Sequence, residues 1–194
     1  MLDQAPHIRT PSSDISQESL AFGLDLRLDR NDVIEDQIEH ARHRYSGLLI
    51  QLDHLRPVIA GADVLYRETG NAWSIKEILG HLIDTDREIW WPRIKAILES
   101  DRPFFADIDQ HELVRKHHWQ SIPIEDVFLQ LMRVRWEYSM RLNLLPDSAF
   151  SREGDHATLG TITLLQIVQL LVSHDAHYLE MIHGIVESTG KRVG

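Results

Sequence analysis

Histidine is the side chain best suited to hold a metal ion or move a proton near neutral pH, and this chain carries 12 in 194 residues. The stretch from Ser173 to Ile182, S-H-D-A-H-Y-L-E-M-I, sets His174 and His177 three apart in a run that is otherwise mostly apolar. An imidazole aimed at a core needs a partner, because burying it unpaired is costly. A metal ion shared with His81, which opens H-L-I-D much earlier in the chain, would be such a partner. On a helical wheel advancing ~100° per residue, His174 falls amid Ile167, Leu170, Leu171, Met181 and Ile185. Tyr178 lies beside it one turn later. His177 lies at the border of the apolar arc, near enough to share a face with His174, and His183 points away. His81 lies at the edge of its own apolar stripe. Asp86 falls among Leu79, Leu82 and Trp90, placed either to support a histidine through its second nitrogen or to pair with an arginine such as Arg93 or Arg133.

As a metal signal this spacing is far less specific than H-E-x-x-H. Ordinary core or boundary histidines remain the alternative to ligands. His40, His43 and His54 read as solvated positions. His117 and His118 are adjacent, point to different sides of any helix, and read as surface or mouth residues rather than ligands.

These side chains need elements to position them, and the pattern is helical throughout. Val33 to Leu55 follows helical spacing after Asn31 or Asp32 as N-cap, with Pro57 and Gly61 ending the helix. Ser74 and Glu77 form a capping box that starts a second helix, running to about Ser100 with a bend expected at Pro92. The long connector Asp101 to Ser121 is expected to carry a short helix over Asp109 to His118, with Phe104, Phe105 and Trp119 pinning it over the bundle mouth. A third helix follows Pro123 and stops at Pro146. Thr163 and Gln166 make a second capping box for the fourth, which ends near Gly190. No strand pattern competes over a long window. The fold class is therefore all-α: an up-down-type four-helix bundle over residues 31–190 with long connections and an irregular N-terminal extension over residues 1–30. Such bundles build their sites in the core from facing helices.

Composition narrows the function classes. A net charge of -10 and no basic stripe argue against nucleic acid. There is no apolar run of bilayer-spanning length and no signal-peptide pattern at the N-terminus, so a cytoplasmic protein with no membrane partner is expected. The absence of cysteine removes disulfides, thiolate ligands and a cysteine nucleophile. Trp90, Trp91 and Ile94 offer an apolar patch beyond what one core face requires, which suits a partner surface.

The segment from about Asn31 to Ile185 resembles the DinB/YfiT superfamily. The likeness is carried by W-S-I-K-E-I-L-G-H-L-I-D from Trp73 to Asp84, by Thr163 to Gln166, and by H-D-A-H-Y-L-E-M-I from His174 to Ile182. The resemblance implies a four-helix bundle in which three histidines hold a divalent metal, often in a homodimer, with hydrolase or thiol-transferase chemistry on a small-molecule substrate. His81 matches the ligand of the second helix and His174 the first of an H-x-x-x-H pair on the fourth. The second of that pair falls on Tyr178, and the glutamine that usually follows falls on Met181. Three arrangements follow: His177 or water completes the site, the site is lost, or Tyr178 binds as a phenolate. The expected ligand set is His81, His174 and His177, with Tyr178 as a catalytic proton donor. Zinc or nickel is the metal expected first, ahead of iron or manganese. A bundle with a degenerate site serving as a dimeric binding protein is the alternative.

Overall fold

A computed structural model of the chain describes residues 31–70 and 72–190. The expected extension over residues 1–30 and the N-cap at Asn31 or Asp32 lie outside the described residues and side chains. Four long helical segments make the bundle: α1 (Asn31–Ala60); α2 (Ile75–Thr85), continued by a π turn (Asp86–Trp90) and α3 (Trp91–Glu99); α5 (Ile124–Leu144); and α6 (Leu164–Gly190). A short α4 (Gln110–Lys116) lies in the connector, close to the helix expected there. The apolar stripes meet along the bundle axis, with Ile38, Tyr45, Leu52, Ile78, Leu82, Leu131, Ile167 and Ile182 all 2% exposed or less.

Both capping boxes form. Ser74 N–H donates to Glu77 Oε2 at 2.9 Å while Glu77 N–H donates to Ser74 Oγ at 3.4 Å. Thr163 N–H donates to Gln166 Oε1 at 2.8 Å, and Gln166 N–H returns to Thr163 Oγ1 at 3.2 Å. Each satisfies orphan donors of a helix start, which fixes where α2 and α6 begin.

Three expectations need correction. α1 passes through Pro57 rather than stopping there, and ends at Ala60, directly before Gly61 as expected. The second helix does not stay regular up to Pro92. Instead the π turn Asp86–Trp90 precedes it, and Pro92 falls in the first turn of α3. There its missing N–H costs little, and the extra residue in the preceding turn accommodates its ring. A small sheet also forms, in the order β1 (Phe104–Phe105), β2 (Glu153–His156), β3 (Gly160–Thr163), with β1–β2 parallel and β2–β3 antiparallel. Strands of two to four residues are too short to register as a periodic pattern. The sheet ties the connector to the loop that leads into α6.

Trp90 and Ile94 are 1% and 2% exposed, and Trp91 stacks on Tyr138 at 4.6 Å. They are core and flank, not a partner patch. The exposed large apolar side chains instead include a row on α5: Leu129, Trp136, Met140 and Leu144. Among the described residues no helix is long and apolar enough to cross a membrane.

Candidate metal centre

α2 and α6 face each other in mid-bundle, and their two core histidines meet. His81 Nε2 lies 3.2 Å from His174 Nε2, 93 residues apart in sequence. The rings are 0% and 3% exposed. Two lone pairs facing at this distance would repel, so the pair requires a proton or a cation between the nitrogens. Two donors each about 2.0–2.1 Å from one zinc ion stand roughly 3.0–3.4 Å apart. The observed separation therefore suits a shared ion as well as a direct N–H···N bond.

Aromatic rings wall the pair in. Tyr178 is fully buried, with its ring 4.6 Å from His81 and 4.8 Å from His174. Trp73 packs at 4.8 Å on His81 and stacks on Tyr178 at 5.9 Å. Trp90 meets His174 edge-on at 5.5 Å, and its buried indole N–H has no hydrogen-bond acceptor. An orphaned donor on a ring packed against His174 fits a centre that also holds an acceptor atom.

Behind His174 lies a charged chain that sequence reasoning missed. Asp175 Oδ1 is 3.3 Å from His174 Nδ1. This favours the proton on Nδ1 and leaves a lone pair on Nε2, the arrangement typical of a metal-binding imidazole. Asp175 Oδ2 meets Arg135 Nη2 at 2.6 Å, and Arg135 Nη1 lies 3.0 Å from Asp86 Oδ1 and 3.4 Å from the Tyr45 hydroxyl. Arg135 and Asp86 are 0% exposed and Asp175 is 2%. Burial alone would lower the Arg135 pKa, but Asp175 and Asp86 outweigh it and hold the guanidinium above its ordinary value. Burial pushes the Asp86 carboxyl well up against the pull of Arg135. One cation cannot balance two dry carboxylates, and Asp86 is driven toward keeping its proton. Burial likewise raises the Tyr45 phenol, which stays neutral. Asp86 thus pairs with an arginine, as one of its two expected readings had it, and that arginine is Arg135. Arg135 falls four residues beyond Leu131 and seven before Leu142, on the stripe of α5 that packs inward, and that register was its one sequence signal.

His177 is half-buried and packs edge-on against Tyr178 at 5.3 Å. Among the described residues no three His, Cys, Asp or Glu side chains are grouped to hold an ion, so His177 does not join His81 and His174 in a cluster. Three residues along a helix turn it roughly 300° from His174, onto the flank of α6. The residues at hand fit a divalent ion with two protein nitrogens, completed by solvent or by the Tyr178 phenol. His40, His43, His54 and His183 are exposed, as expected.

The family model described as the DinB superfamily matches residues 37–182. The chain belongs to the DinB superfamily. No curated protein matches it. Among solved structures it is similar to YfiT from Bacillus subtilis, described as a probable metal-dependent hydrolase with an unusual four-helix bundle topology. The TM-score is 0.72 at 18% sequence identity, over 89% of this chain and 98% of that one. At this identity the likeness establishes the fold, and the chemistry of this DinB-superfamily chain must be argued from its own residues.

Proposed function

We propose that this DinB-superfamily bundle is a metal-dependent enzyme of hydrolase or thiol-transferase type acting on a small molecule, with His81 and His174 holding one divalent ion. The observation that carries the proposal is the 3.2 Å approach of the two Nε2 atoms, with Asp175 behind one of them. Imidazole nitrogens favour zinc or nickel ahead of manganese, with iron between. Such an ion, when bound, acidifies a water or thiol and polarises a carbonyl. The chain's own residues do the rest. Asp175 holds the proton on His174 Nδ1. Arg135 anchors Asp175 so that the imidazole keeps its orientation. Trp73 and Trp90 keep bulk water out, which strengthens every charge interaction inside. Tyr178, beside both rings, is the proton donor to a leaving group. A homodimer belongs to the same proposal, with the exposed α5 row of Leu129, Trp136, Met140 and Leu144 as its face.

Metal analysis tests this. Protein prepared without chelator and supplied with zinc, nickel, manganese and iron should carry close to one ion per chain. The ion should be lost when His81→Ala and His174→Ala are combined.

A second reading rests on the same distance and on the complete enclosure of the rings. The pair is then a direct His–His hydrogen bond, and the bundle is a non-catalytic binding protein. Stoichiometry near zero after every metal, with a lowered melting temperature in the double variant, selects it.

A further inference from the structure

The connector between the second and third long segments folds back onto α2 and builds a second histidine–aspartate couple. Trp119 lies against Gly80, where an added Cβ would fall 2.2 Å from the indole Cγ. Its Nε1–H donates to Asp84 Oδ2 at 2.6 Å. The other oxygen of Asp84 is 2.9 Å from His117 Nδ1. Asp84 is 1% exposed, whereas the His117 side chain is 39% exposed. Burial raises the Asp84 pKa, and the bonds from Trp119 and His117 work against that rise. With Nδ1 turned to Asp84, Nε2 is the nitrogen left to meet a ligand. Its nearest acid, Glu88, is 3.9 Å away and pairs with Lys116 at 3.3 Å.

His117 borders a cleft of about 650 Å³, with Arg67, Glu77, Arg115, His118 and Trp119 around it. In a chain of net charge -10, this lining holds two arginines and two histidines against one carboxylate. That carboxylate is already engaged: Glu77 accepts from Arg67 at 2.5 Å and from Ser74 N–H at 2.9 Å. Among the described residues Arg115 pairs with Asp109, at 3.8 Å with both side chains exposed, a pair of little worth. Guanidinium groups are planar donor forks that match oxyanions, and a cleft concentrates their field.

We propose that this cleft binds a small oxyanion, the phosphate or carboxylate group of a small molecule, through Arg115 and the imidazole of His117 that Asp84 holds in place, with Arg67, paired to Glu77, adding to the positive field. The site stands apart from the metal reading, since neither His81 nor His174 borders the cleft. Calorimetric titration of the full chain at low salt with pyrophosphate, and separately with citrate, tests it. Trp119 fluorescence is a second readout. Saturable binding of at least one of the two is expected, and the stronger of them identifies the anion class. Arg115→Ala and His117→Ala should each weaken it about tenfold or more, the loss expected for one charge-assisted contact. His81→Ala with His174→Ala should leave it in place. Arg115 is exposed on a short helix, so its variant tests the cleft with the bundle intact. Absence of saturable binding for both anions overturns the proposal. So does binding that Arg115→Ala and His117→Ala leave unchanged.

Discussion

His174 beside Asp175 and His117 beside Asp84 are the same pair of side chains in two media. The first sits in mid-bundle, 3% and 2% exposed. The second joins a buried aspartate to an imidazole at the edge of an open cleft. In the dry couple every charge must be answered by another side chain, so Arg135 is drawn in, and behind it Asp86 and Tyr45. In the open couple water shares that task, and one indole N–H and one imidazole suffice for Asp84. α2 meets both couples, the first through His81 against His174 and the second through its own Asp84, and Glu77, His81 and Asp84 follow there at i, i+4 and i+7 along one face. The comparison teaches that identical residues become a rigid, closed centre or an accessible one according to what lies behind the carboxylate.

The comparison predicts unequal costs. Arg135→Met should be the most damaging change, about 3–5 kcal/mol, because it strands Asp86 and Asp175 without their cation. Urea unfolding measures this, and a cost below ~1 kcal/mol would mean that the network is not holding charge. Next comes the wall between the two regions. Gly80→Ala puts a methyl group into the Trp119 ring and should cost about 1–3 kcal/mol by overpacking. It should also shift Trp119 emission as the connector lifts; unchanged emission with full stability would show the contact to be loose. His174→Ala should cost about 1–3 kcal/mol by leaving buried polar atoms stranded. The partly exposed His117→Ala should cost less, and equal costs in chemical denaturation would erase the distinction between the couples.

The smallest effect is a slope with pH. The Asp84 pKa is raised in the folded chain, so the folded state keeps that proton longer than the unfolded one. Its contribution is therefore fully present below the ordinary carboxylate value of about 4 and is lost as pH rises through the raised one. Denaturation midpoints of Asp84→Asn, compared with the parent from pH 4 upward, should lack that falling component. An identical slope in both proteins would assign it elsewhere.

Much of the bundle was legible because its signals are local. Ser74 with Glu77 and Thr163 with Gln166 mark helix starts through contacts three residues apart. The apolar spacing of α6 turned His174 inward, whereas His81 lay at the edge of the stripe on α2 and only the packed bundle buries it fully. Tyr178 followed from the same wheel. What escaped depended on distant partners. Arg135 on an apolar stripe looks like an interruption until Asp86 and Asp175 arrive from two other segments. His117 was set aside because adjacent histidines on a helix diverge. In the structure His117 lies just past α4, where the connector has turned back onto Asp84. The π turn and the two- to four-residue strands left no periodic trace.

The amino-acid sequence by itself determined where the helices of the two capping boxes start, which faces they bury, and that the imidazole of His174 points into the bundle. Those properties depend on hydrogen bonds and side-chain spacing within a few residues. The tertiary structure alone decided which carboxylate stands behind which histidine, and so which couple is dry and which is open. That outcome is set by the dielectric surroundings and countercharges that segments far apart in the chain bring together.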